Sequence, residues 1–111
     1  MQTFAEFWPF YLREHRKPAT RALHYVGTTL VLLSVAAAAV SRRPALLWFA
    51  PLAGYGFAWV SHFFIEGNKP ATFKYPRYSL IADFKMYGMA LSGRLGPELQ
   101  RAGVEPVTAS S

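Results

Sequence analysis

Two apolar runs separated by a short basic turn set the pattern of this chain. Residues 22–40 carry no charged side chain and are rich in Leu, Val and Ala, and residues 45–65 are likewise uncharged. Either run suits a membrane-crossing helix, which needs about 20 mostly apolar residues. Ser41-Arg42-Arg43-Pro44 leaves room only for a tight reversal, so the runs predict an antiparallel two-helix transmembrane hairpin. Ala50, Gly54 and Ala58 recur every four residues along the second run. Such a small-residue ridge permits close helix approach, and Gly27 and Ser34 of the first run can face it.

The flanks follow a different pattern. Thr3-Phe4-Ala5-Glu6 fits a capping box, and Phe4, Phe7 and Tyr11 recur at helical spacing. Pro9 is expected to bend or restart this helix. Its aromatic face either lies in the membrane interface or packs on the protein's own helices. Pro18 pushes Lys17 toward an extended conformation and predicts a helix break at the charged hinge 13–21. On the far side, Gly67 reads as the residue just past a helix end, with Pro70 confirming the stop. Residues 78–92 are apolar but interrupted by Asp83 and Lys85, which predicts an interfacial or half-inserted helix. Gly93, Gly96 and Pro97 then loosen the chain, so 93–111 are expected to form a polar, disordered tail. The expected fold is therefore an all-α membrane protein. Residues 1–92 form its single membrane-embedded domain, with spans at about 22–40 and 45–65.

Composition sharpens this picture. Of the 111 residues 52% are hydrophobic and only 16% charged, against roughly 25% charged in an average soluble domain. The net charge of +6 flanks apolar spans instead of covering a polar surface, which suits anionic lipid headgroups and argues against nucleic acid. Basic residues crowd both flanks of the hairpin, with only Arg42 and Arg43 at its turn, so both termini are expected on the cytoplasmic side. No cysteine is present, which excludes disulfides and thiolate-held metals.

The candidate chemistry lies in three histidines. His15 and His24 are nine residues apart and would point in opposite directions on one continuous helix, but a break at Pro18 lets them converge. His24 and His62 lie about 27–30 Å from the turn, at nearly the same depth of the hairpin. Glu66 is four residues beyond His62 and shares its face if that segment is α-helical. Imidazoles and a carboxylate suit iron, zinc or manganese. The bland alternatives are a solvated His15, a His24 bonded to a carbonyl, and a His62–Glu66 ion pair. Those alternatives describe a non-enzymatic membrane scaffold or lipid-binding module; a metal-dependent lipid hydrolase or hydroxylase is a further reading of the same ligands.

Three blocks add to this. They are Tyr11-x3-His15-x2-Pro18-x2-Arg21-x2-His24-x2-Gly27-Thr28, then His62-x3-Glu66-Gly67-Asn68-x-Pro70-Ala71, then Pro76-x-Tyr78-Ser79-Leu80-x2-Asp83-Phe84. In this order the chain resembles the membrane 2-hydroxy fatty acid dioxygenase family, in its short bacterial form. Thr20 departs from the Asn expected before Arg21. The resemblance implies an Fe(II) enzyme of the bacterial inner membrane that uses O2 to shorten a 2-hydroxy fatty acid by one carbon, releasing CO2. It implies His15, His24 and His62 as iron ligands, with Glu66 and Asp83 as further ligands or supports of the imidazoles. Arg21 and Lys69 are then candidate partners of the substrate carboxylate, and Tyr11 a candidate substrate contact. Self-association is left open.

Overall fold

The computed structural model describes residues 2–104, among which there is no strand. Five α-helices follow in order: α1 (Phe4–Arg13), α2 (Pro18–Ser41), α3 (Phe49–Val60), α4 (Pro76–Leu91) and α5 (Leu95–Arg101). A 3-10 turn, Pro44–Trp48, leads into α3, and a π-helical turn, Ser61–Glu66, leads out of it.

α1 begins as its sequence predicts. The Thr3 hydroxyl accepts from the Glu6 amide at 3.2 Å, and the Glu6 carboxylate accepts from the Thr3 hydroxyl and the Gln2 amide. The helix runs through Pro9 without restarting. Its aromatic face packs on the protein's own helices. Phe7, Trp8, Tyr11 and Leu12 are buried with Ala82 and Met86 of α4 and Leu95 and Leu99 of α5. Burying each large apolar side chain contributes about 1.5–3 kcal/mol, so this cluster anchors the three outer helices to one another. The Trp8 indole N–H donates to Glu98 at 2.8 Å and ties α5 down. The loose tail expected from residue 93 is instead structured as far as 104, because Leu95, Leu99 and Ala102 supply apolar positions that join the core. The rest of that tail, 105–111, lies outside the described residues.

α2 is long and apolar enough to cross a membrane, about 36 Å at 1.5 Å per residue. Its most apolar window has a mean hydropathy of 1.8 and is only 17% buried within the protein. Arg42 ends the helix in the left-handed region, at φ 56°, and Arg43 donates back to the Ala38 carbonyl at 3.1 Å. α3 returns antiparallel along α2. A Cβ on Gly27 would stand 3.1 Å from both the Ala53 carbonyl and the Phe57 Cβ, so glycine permits this approach. The second run is not one α-helix as expected. Only 12 of its residues are α-helical, about 18 Å, between the 3-10 and π turns. Among the described residues, α2 is the one helix that meets the length and hydropathy of a span.

Candidate metal centre

Three local devices bring the histidines together. Pro18 opens α2 at its first position, and Lys17 before it is extended at φ −81°, ψ 136°. The break leaves His15 between the two helices, and the Arg21 guanidinium holds it there by donating to the His15 and Arg16 carbonyls at 2.8 and 2.9 Å. His24 lies two turns into α2. His62 arrives from the π turn, whose i→i+5 spacing inserts a residue into the helical path; such turns recur at functional sites.

All three imidazoles are buried. His15 Nε2 lies 3.1 Å from His24 Nε2 and 3.0 Å from His62 Nε2, and one ligand atom from each residue falls within 4.8 Å of the others. Each Nδ1 is engaged elsewhere: His15 with the Tyr11 carbonyl at 2.7 Å, His24 with the Thr20 carbonyl at 2.9 Å, His62 with Asn68 Oδ1 at 2.7 Å. A carbonyl can only accept, so Nδ1 of His15 and of His24 carries the proton. Asn68 leads to the same result, because its amide nitrogen donates to the Glu14 carbonyl at 3.0 Å and leaves its oxygen for His62. In neutral rings that leaves three Nε2 lone pairs facing one another with no proton between them. Burial, reinforced by His24 and His62, holds His15 well below its usual 6.5 and so keeps it neutral.

Three converging lone pairs are a ready-made donor set for a cation. Nitrogen ligands at about 2.1 Å from one ion, at right angles, are about 3.0 Å apart, which matches the two Nε2 separations. The three histidines could therefore hold a metal ion. Fixing each ring through its other nitrogen is how proteins set the tautomer of a metal-binding histidine.

The site opens on a cavity of about 260 Å³ between α2, α3, α4 and the connector Pro70–Thr72. Tyr11, the three histidines, Thr28, Ser79 and Asp83 are among its polar lining residues, and Val31, Gly54, Ala58, Leu80 and Phe84 among its apolar ones. The Tyr11 ring stacks on His15 at 4.0 Å between centroids, and its hydroxyl donates to Asp83. Burial raises the Asp83 carboxyl to about 6, with the Tyr11 hydrogen bond acting against it.

Other expectations fall differently. Glu66 does not turn toward the imidazoles: its carboxylate accepts from the Lys17 amide at the start of α2, while the Lys17 ammonium donates to the Ile65 carbonyl at 2.8 Å. The π turn breaks the α-helical register that would have stacked it on His62. Arg21 is spent on the hinge and Lys69 is exposed; neither lines the cavity, and no Lys or Arg among the described residues does. Thr20 contributes its carbonyl, and its buried hydroxyl has no partner among the described residues. Asn68, to which the sequence assigns no role, orients His62. Its signal was Gly67, whose left-handed conformation (φ 73°) reverses the chain and returns the next side chain to His62.

Fold and site define a small all-helical protein with an apolar hairpin and a buried three-histidine centre fit for a metal ion. A family model described as "2-hydroxy-palmitic acid dioxygenase Mpo1-like" matches residues 1–95, and the chain belongs to that family. No curated protein and no solved structure matches it significantly.

A pH dependence follows from two of these groups. His15 takes up a proton readily only when unfolded, so below 6.5 the unfolded state binds more protons and stability falls, by up to about 1.4 kcal/mol per pH unit for that group. Asp83 has the opposite sign. Between 3.8 and about 6 it is protonated when folded and ionised when unfolded, so it regains stability as pH falls through that window. The melting temperature of metal-free protein should decline below pH 6.5, and Asp83→Asn should make the decline steeper below pH 6. An Asp83→Asn protein with a constant melting temperature from about pH 7.5 to 5 would contradict a neutral, buried His15.

Proposed function

We propose that the protein is an Fe(II)-dependent dioxygenase that converts a 2-hydroxy fatty acid into the acid one carbon shorter. The convergence of three Nε2 lone pairs at the head of an apolar cavity carries this reading, together with family membership. The reaction balances without a further reductant: R–CH(OH)–COOH plus O2 gives R–COOH, CO2 and H2O. The C1–C2 and C2–H bonds of the substrate break, and its four-electron oxidation matches the four-electron reduction of O2. His15, His24 and His62 would hold the iron, which when bound supplies the one-electron chemistry that O2 requires. Three protein ligands leave positions open for substrate and O2. The chain's own residues do the rest. The cavity wall of Val31, Gly54, Ala58, Leu80 and Phe84 takes the acyl chain and excludes water. Asp83, oriented by the Tyr11 hydroxyl, is the acceptor for the proton of the substrate's 2-hydroxyl.

Protein purified without oxygen should contain one iron per chain and turn 2-hydroxypalmitate and O2 into pentadecanoate and one CO2. Stoichiometric zinc, or full turnover in iron-free protein, would overturn the assignment.

We read α2 and the helical path 44–66 as crossing the inner membrane, with termini and site on the cytoplasmic side. Leu33, Val40, Trp48 and Leu52, all exposed, give the hairpin an apolar outer surface, and seven Lys and Arg flank the site end against two at the turn. Cysteines substituted at Lys17 and at Arg43 should label from opposite faces of sealed vesicles; labelling from one face would remove the hairpin.

A further inference from the structure

The cavity has to receive an acid, yet no cation lines it. One fully buried donor there has no partner among the described residues. It is the hydroxyl of Ser79, a residue 3% exposed that lines the cavity. Helical serines and threonines commonly discharge the hydroxyl onto the carbonyl one turn back. This chain does so repeatedly: Thr29 to Tyr25, Ser34 to Leu30, Ser41 to Ala37 and Ser92 to Gly88, at 2.5–2.9 Å. Ser79 does not, although the Tyr75 carbonyl one turn back accepts its backbone amide. A buried hydroxyl without a partner costs stability, and alanine would fill the same place without that cost.

Its position gives the hydroxyl a use. Ser79 is in the first turn of α4, which starts at Pro76 on the cavity wall, and the side chain of Tyr75 before it makes no capping hydrogen bond. Pro76 has no N–H, and the amides of Tyr75 and Ser79 already donate to the Ala71 and Tyr75 carbonyls, so the first-turn amides left to a ligand are those of Arg77 and Tyr78, where the helix dipole favours an anion. Asp83 is one turn further along the same face and accepts from the hydroxyl of Tyr11, whose ring stacks on His15.

We propose that the amino end of α4 is the carboxylate-binding site for the fatty-acid substrate, with Ser79 Oγ donating to the carboxylate. This rests on the dioxygenase reading and deepens it: the head group is held by a neutral donor and a helix end, in the place where Arg21 and Lys69 were expected. Ser79 is a positioning and specificity residue.

The test is equilibrium binding to iron-loaded protein without O2, with two probes: 2-hydroxypalmitate and hexadecane-1,2-diol, which keeps the chain and the 2-hydroxyl but lacks the carboxylate. Ser79→Ala should weaken 2-hydroxypalmitate on the order of 10–100-fold, the range for a lost hydrogen bond to a charged group. It should leave the diol unchanged, keep the iron content and melt no lower than the parent. Ser79→Thr, which keeps the hydroxyl, should recover most of the acid's affinity. Equal weakening of acid and diol, or none of either, would overturn the carboxylate site while leaving the dioxygenase reading intact. Parent protein that binds neither probe would overturn both.

Discussion

His15→Ala, His24→Ala and His62→Ala proteins should each lose stoichiometric metal while keeping the helical content of the parent. The three rings bring their free nitrogens within 4.8 Å of one another, with His15 Nε2 about 3 Å from each of the other two, and no other partner for them lies among the described residues. Removing one ring leaves two ligands, one fewer than the three protein donors that catalytic metal sites typically use. The loss should also be visible in stability. A ligand that binds only the folded state at about 1,000 times its dissociation constant stabilises by roughly 4 kcal/mol. In a domain of this size that corresponds to more than about 10 °C in melting temperature. Adding Fe(II) without oxygen should therefore raise the melting temperature of the parent and leave all three variants where they were. Full metal content in all three variants would remove the centre.

The parts of the site that were legible in the sequence are those fixed by the backbone. Pro18 cannot donate and restricts Lys17, so the hinge and the convergence of His15 with His24 follow from one residue. The Arg42-Arg43 turn sets the hairpin, and nearly equal distances from it bring His24 to His62. Gly67 marks a helix end because its φ of 73° is accessible to glycine.

Hidden were the features decided by tertiary partners. Periodicity assumes 3.6 residues per turn, so a π turn at 61–66 was invisible and Glu66 was placed under His62 when it reaches Lys17 instead. Arg21 looked like a free cation near a site; the carbonyls it binds are exposed only because the hinge breaks. The aromatic face of α1 suits a lipid interface and a protein core equally well by composition. What decides between them is α5, whose Leu95 and Leu99 complete the core from a stretch that reads as a tail.

The exchange of roles between Glu66 and Asn68 gives the second large expected effect. Asn68→Ala should weaken metal binding by about 10–100-fold, the usual consequence of removing the group behind a ligating histidine. Two contacts go at once: the acceptor for His62 Nδ1 and the donor to the Glu14 carbonyl, which ties the chain after Gly67 to the end of α1. His62 would then be free to turn or to place its proton on Nε2, the nitrogen the metal needs. Glu66→Gln should behave differently. A glutamine oxygen can still accept from the Lys17 amide, and only the charge at the start of α2 is lost, which is worth about 0.3–1 kcal/mol of stability. Metal affinity should stay within about threefold of the parent, since the loss falls on the helix and not on an imidazole. Titration of metal-free protein with Fe(II) under anaerobic conditions measures both variants on one scale. If Glu66→Gln costs more affinity than Asn68→Ala, the carboxylate reaches the centre after all and the orientation of His62 by Asn68 is wrong.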